Sequence, residues 1–202
     1  ILTGGASTQT AAGTYAVTAD FVPTDTTNYN TLTSLAAGNF VIINPYNAWA
    51  ASKGLTGGNA AQTADPDGDG RINLLEFATN DDPNSGNASG KQKAAVGTVS
   101  TQQVFTLTVP VRTGATFSGT NDQVSAAIDG VIYTIQGTTD LVAGFTNTVV
   151  PVSEVTGGDA TAIQTGMPAL ESGWTYRTFR ATGYTVSGSP FVFLRLKVTA
   201  SP

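Results

Sequence analysis

Val104-Phe105-Thr106-Leu107-Thr108-Val109-Pro110-Val111-Arg112 alternates large apolar residues with small polar ones. A period of two sends successive side chains to opposite faces, so Phe105, Leu107, Val109 and Val111 share one face and Thr106 and Thr108 the other, the pattern of a β-strand rather than a helix. Outward from this stretch the same signal recurs. Val131–Gln136 follows the turn Asp129-Gly130; Phe145–Val152, Trp174–Ala181 and Phe191–Thr199 come after it. In the last, Val192, Leu194, Leu196 and Val198 face inward and Arg195 and Lys197 outward. Several short strands separated by turns predict a β-sandwich over residues 91–202, which looks all-β.

The composition excludes much chemistry. Within 202 residues there is no cysteine, no histidine and one methionine, Met167. Disulfides, cysteine zinc sites, thiol nucleophiles and Ser-His-Asp triads are ruled out. With 11% charged residues and a net charge of −5, the chain lacks the clustered cations that nucleic-acid binding needs. Hydrophobic residues at 40% suffice for a packed core, and no apolar run reaches the length of a membrane span. Ile1-Leu2-Thr3-Gly4-Gly5 has neither the basic nor the apolar region of a secretory leader, so the chain reads as processed or cytosolic. Low charge, low sulfur and abundant Thr, Gly and Ala tilt the reading towards a secreted bacterial surface protein.

Two further segments precede the sandwich. In residues 1–44, Tyr15, Val17, Ala19 and Phe21 alternate on one strand face, a polar turn spans Pro23–Asn30, and Phe40–Ile43 forms a second strand. In residues 45–90, the Ala-rich Tyr46–Lys53 predicts a helix ended by Gly54 or Gly57-Gly58. Ile72–Ala78 predicts a short second helix, terminated by Asp81, Asp82 and Pro83, and Asn84–Gly90 reads as a linker.

One motif carries sharp chemistry. Asp65-Pro66-Asp67-Gly68-Asp69-Gly70-Arg71-Ile72-Asn73-Leu74-Leu75-Glu76 fits the twelve-residue calcium loop. Asp65, Asp67 and Asp69 would offer carboxylates at positions one, three and five, Arg71 its backbone carbonyl at seven, Asn73 a water-mediated contact at nine, and Glu76 both oxygens at twelve. Gly70 permits the sharp turn at six, and Ile72 at eight is expected to pack the loop against its neighbours. Calcium is hard and takes six to eight oxygens, and four converging carboxylates repel one another without a cation. A single loop, without the partner of a paired EF-hand, reads as a structural clip. Asp81 and Asp82 could add a ligand or only end the helix.

Three stretches resemble known families. Ala12–Ala19, Asn28–Asn30 and Gly38–Ile42 look like the C-terminal half of a bacterial Ig-like repeat. Tyr46–Ala50 with Asp65–Ala78 is similar to a calcium-loop linker of secreted Verrucomicrobia-type and Planctomycetes-type proteins, and to half of a dockerin; dockerins carry two such loops and this chain carries one. Tyr133–Leu141 and Phe191–Val198 look like the terminal β-domain that follows such a linker. The resemblance implies an extracellular location and no particular activity. A complete Ig-like repeat needs about seven strands, and residues 1–44 supply two or three.

The expected architecture is therefore mainly β: Ig-like strands over 1–44, a helical calcium-loop linker over 45–90 and a sandwich over 91–202. The expected role is a non-catalytic structural module of an extracellular or cell-surface protein, stabilised by Ca2+ and joining copies of itself head to tail through the incomplete first segment. The alternative is a carbohydrate-binding or adhesion module with glycan partners. Trp174 and Tyr176, on one strand face, would be its sugar-stacking surface, against the plainer reading that they and Trp49 are core anchors. Asp140, Glu154, Asp159 and Glu171 would have to supply any glycosidase carboxylate pair, against the plainer reading of solvated acids. Arg177, Arg180, Arg195 and Lys197 form a mild basic cluster.

Overall fold

A computed structural model describes residues 9, 11–87, 89–155, 158–188 and 192–201. Ile1–Gly5 and Phe191, which enter the sequence reading, lie outside the described residues. The fold is mainly β, with antiparallel sheets and, among the described residues, three α-helices. It divides into two compact units between Ala48 and Trp49.

In the first unit, β1 (Gly13–Phe21) pairs antiparallel with β2 (Leu32–Ile42). Tyr15 lies opposite Phe40 and Thr14 opposite Val41. Twice β2 carries one residue more than its partner, between Ala36 and Asn39 and between Leu32 and Leu35. Gly38 at φ +97° and Ser34 at φ +56° take up these bulges, and the Ser34 N–H donates to Asp20 Oδ1 at 2.6 Å. The bulges break the regular alternation expected of a flat strand pair. Helix α1 (Pro45–Ser52) follows and contains the division between the units. Asn44 Oδ1 caps the Asn47 N–H at 3.0 Å, and proline suits the first helical position. At the other end Gly54 adopts φ +73°, and the Leu55 N–H returns to the Ala50 carbonyl at 2.9 Å.

The second unit holds α2 (Asn73–Thr79) and the sandwich. One sheet has the order β3 (Lys93–Val99), β4 (Gln102–Arg112), β9 (Trp174–Ala181), β8 (Val149–Pro151). The other runs β10 (Phe193–Ala200), β7 (Val131–Thr138), β6 (Gln123–Ser125), β5 (Phe117–Ser118). Leu107, Val109 and Val111 of β4 are buried along with Phe179, Val131, Tyr133 and Ile135. Phe117 bridges the sheets, with its ring 4.9 Å from Phe179 and 6.2 Å from Tyr133.

The threonine face of β4 is buried as well, which the alternating pattern did not anticipate. Thr108 and Thr178 share a hydrogen bond of 3.0 Å, and Gln164 Nε2 donates to Thr178 Oγ1 at 2.9 Å. Gln164 belongs to α3 (Asp159–Gln164), a short helix inside the segment read as all-β. Ala160 and Ile163 of α3 join Val99, Val104 and Val152 in a second apolar cluster. Of the strand read at Phe145–Val152, only Val149–Pro151 is in the sheet.

Within the segment read as a helical calcium-loop linker over 45–90, α2 is seated on the sandwich. Phe77 is buried between Trp49, at 5.5 Å, and Trp174, at 6.1 Å edge-on. The Arg112 guanidinium lies over the Trp174 ring at 4.1 Å and over Phe77 at 5.1 Å. Trp174 Nε1–H donates to the Phe77 carbonyl at 2.8 Å, and the Tyr133 hydroxyl to the Ala78 carbonyl at 2.8 Å. Two helix carbonyls are thus satisfied by the sheets.

Candidate metal centre

Residues 65–71 fold as a chain of carboxylate-capped turns. Asp65 accepts from the Gly68 N–H through Oδ1 and from the Gly70 N–H through Oδ2, both at 2.9 Å. Asp67 Oδ1 accepts from the Asp69 N–H at 3.2 Å, and Asp69 Oδ1 from the Arg71 N–H at 2.7 Å. Short acidic side chains readily close such turns. Gly68 and Gly70 stand at φ +76° and +89°, where a Cβ would be strained. The outcome is that carboxylate oxygens of Asp65, Asp67 and Asp69 lie within 4.8 Å of one another.

Glu76 comes from α2 and is 1% exposed. Burial, followed by the negative charges of Asp67 and Asp69, pushes its carboxyl up to about 7; Asp81 adds to the rise and Arg71 opposes it. Asp67 Oδ2 and Glu76 Oε2 are both buried without a hydrogen-bond partner. A buried, unpartnered carboxylate oxygen costs several kcal/mol when ionised, of order ~3. A cleft of about 240 Å³ beside these groups is lined by Asp69, Glu76, Asp81, Ser85 and Asn87, among others. The donors are all hard oxygens, suited to a cation such as calcium or magnesium rather than a soft metal.

The remaining residues of the motif have different surroundings. The Arg71 guanidinium donates to Thr79 Oγ1 at 2.9 Å and pairs with Asp81. Asp81 also accepts from Thr79, at 2.9 Å, and from Ser89. Its carboxylate is thereby engaged by three side chains. Asn73 is fully buried, and its Nδ2 donates to the carbonyls of Asn59 and Ala61 at 2.7 and 2.9 Å. Its amide nitrogen fastens the start of α2 to the preceding turn, leaving Oδ1 without a partner. Ile72 is 38% exposed, so the expectation that it packs the loop against neighbours is corrected. Ser85 and Asn87, read only as linker, face the cleft; a polar Ser/Asn run shortly after the loop was the available signal. Gly86 brings this segment to Asp69, since a Cβ there would lie 3.4 Å from the Asp69 Cβ.

The other candidates have separate structural duties. Glu154 accepts from the Thr178 N–H and from Gln164 Nε2, both at 3.0 Å. Asp159 accepts from the Ser100 N–H at 2.9 Å, Asp140 from the Val142 N–H at 2.8 Å, and Glu171 pairs with Lys53 at 2.9 Å. Trp174 packs between Phe77 and Arg112, and the Tyr176 hydroxyl donates to the Pro168 carbonyl at 2.8 Å. Arg177 and Arg180 lie on β9 and Arg195 and Lys197 on β10, so the basic residues fall on different sheets. Among the described residues no helix is long and apolar enough to cross a membrane.

No protein-family model, no curated protein and no solved structure matches this chain.

Proposed function

We propose that this chain is a non-catalytic structural module of an extracellular or cell-surface protein, clipped by a calcium ion and able to join copies of itself. The observation that carries the metal reading is the pair of buried, unpartnered oxygens, Asp67 Oδ2 and Glu76 Oε2, beside the converging carboxylates of Asp65, Asp67 and Asp69. A divalent cation would neutralise this group and occupy the orphaned lone pairs. Asp65, Asp67, Asp69 and Glu76 would hold it, with the Arg71 carbonyl as the expected backbone ligand. The bound ion would supply charge neutralisation and a fixed loop, and no reaction. Exposed apolar residues on the first unit, among them Phe21, Tyr29 and Phe40, support the self-association reading. The resemblance to the end of a long secreted bacterial surface protein supports the location.

Melting in calcium and in EDTA, with a titration of the metal-free chain by calorimetry, tests the metal reading. A ligand that binds only the folded state adds about 2.7 kcal/mol at a hundredfold excess over its dissociation constant. Asp67→Ala should abolish the gain. Identical melting in calcium and EDTA, with no binding heat, would refute the reading.

A further inference from the structure

Strand β3 is an open edge of its sheet: among the described residues it pairs with β4 alone. Both of its faces border grooves. On the side of the other sheet, Ala94, Val96, Phe105, Val192 and Leu194 line a hollow of about 300 Å³. On the side of α3, Lys93, Ala95, Gly97, Ala162 and Ile163 line one of about 280 Å³. Val96 is 49% exposed. Gly97 keeps the second hollow close to the backbone, because a Cβ there would fall 2.7 Å from Ile163 Cδ1. A strand laid against β3 would find backbone partners along one line and recesses for alternate side chains on either face, the one towards the other sheet mainly apolar.

The chain also carries a strand of the matching kind. Beyond its bulges, β2 runs regularly through Asn39-Phe40-Val41-Ile42, followed by Ile43. Strands with water on one face alternate apolar and polar residues, whereas strands buried on both faces read as continuous apolar runs. Phe40-Val41-Ile42-Ile43 is such a run, yet Phe40, Val41 and Ile43 are each at least 47% exposed. Among the described residues β2 pairs with β1 only. Net charge does not oppose a meeting of the two. Asp20 and Asp25 are the only charged residues up to Ala48, whereas β3 and β10 carry Lys93, Arg195 and Lys197 and no carboxylate.

We propose that the β2 edge at residues 39–43 of one copy adds to the β3 edge of a second copy, Phe40 and Ile42 entering one groove and Val41 and Ile43 the other. This rests on the self-association reading above and names its two surfaces. The surfaces differ, so the contact is heterologous and propagates head to tail unless the rotation closes a ring.

The test uses the full chain in saturating calcium, with mass read by sedimentation from about 1 to about 100 µM, the range of micromolar affinities. Wild type should grow in mass with concentration. Val41→Glu blocks the donor edge and Val96→Lys the acceptor edge, so each variant alone should stay a single chain. An equimolar mixture should form dimers that grow no further, because the intact β2 of the Val96→Lys copy meets the intact β3 of the Val41→Glu copy. Circular dichroism and tryptophan emission check that the variants fold; Phe40→Glu and Ala94→Lys, both at exposed positions, replace either one that does not. A mixture that remains monomeric overturns the proposed pairing. Assembly of Val96→Lys equal to wild type overturns the β3 acceptor alone and leaves self-association standing. A wild type that stays a single chain throughout overturns self-association itself, and the pairing with it.

Discussion

Replacing Glu76 by Gln should move stability in opposite directions with and without calcium. The Glu76 carboxyl titrates at 4.5 when free and is pushed up to about 7 in the folded, metal-free chain, first by burial and then by Asp67 and Asp69. The sign follows from proton linkage. Below about pH 4.5 the group is protonated in both states and costs nothing. Between about 4.5 and 7 the unfolded chain releases the proton before the folded one, so stability falls as pH rises, and above about 7 the whole penalty is present. The difference in titration corresponds to about 3 kcal/mol. Gln keeps the shape and removes the charge. At pH 8 in EDTA it should raise stability by up to that amount, roughly 6–12 °C in melting temperature for a unit of about 150 residues. At pH 4 it should change little. In calcium the order should reverse, since Gln cannot provide a two-oxygen carboxylate. Tryptophan emission reports this unit alone, because both tryptophans, Trp49 and Trp174, pack on Phe77. A Glu76→Gln chain equally destabilised at pH 4 and pH 8 in EDTA would show that the buried charge is not what matters at this position.

Other substitutions address the packing. Phe77→Ala should cost about 3–5 kcal/mol and alter the emission of both tryptophans, as large core truncations do; denaturant unfolding measures it. Gly97→Val should lower stability by about 1–3 kcal/mol by driving a side chain into Ile163, visible in the same melts. A chain beginning at Lys91 should fail to fold cooperatively by calorimetry. It strips Phe77 from Trp174 and leaves the Tyr133 hydroxyl without the Ala78 carbonyl; a sharp transition matching the full chain would contradict this.

The strands of the sandwich were legible wherever one face is apolar and long enough to count. Val104–Arg112, Val131–Gln136 and Trp174–Ala181 fall within β4, β7 and β9. β3 carries no such signal, because Lys93-Ala94-Ala95-Val96-Gly97-Thr98-Val99 holds small residues where an interior strand would hold large ones. It is an edge, and its glycine serves a close contact with α3 that no local pattern encodes. β5 and β6 span two and three residues, too short for periodicity to register. Asp159–Gln164 is a single helical turn and more, placed by Ile163 and Gln164 meeting residues far along the chain, so its tertiary partners rather than its own propensity define it.

At the candidate metal centre the clustering of Asp65, Asp67 and Asp69 could be read from spacing alone, because the twelve-residue calcium loop sets its acidic positions by number. The attachment of that loop to the sandwich could not. Glu76 is followed directly by Phe77 and Ala78, whose carbonyls receive Trp174 and Tyr133 and whose side chains are buried. Asn73 ties the other end of the same helix to Asn59 and Ala61. A shift of Glu76 therefore acts on a helix hydrogen-bonded at both ends to other elements, which opposes relief by local fraying. Repulsion of the Glu76 carboxylate by Asp67 and Asp69 is then carried by the unit as a whole unless a cation removes it. For that reason calcium, once bound, should stabilise the sandwich and not merely order a loop. Its effect should appear in the unfolding of Trp174, which lies in β9, as fully as in that of Trp49.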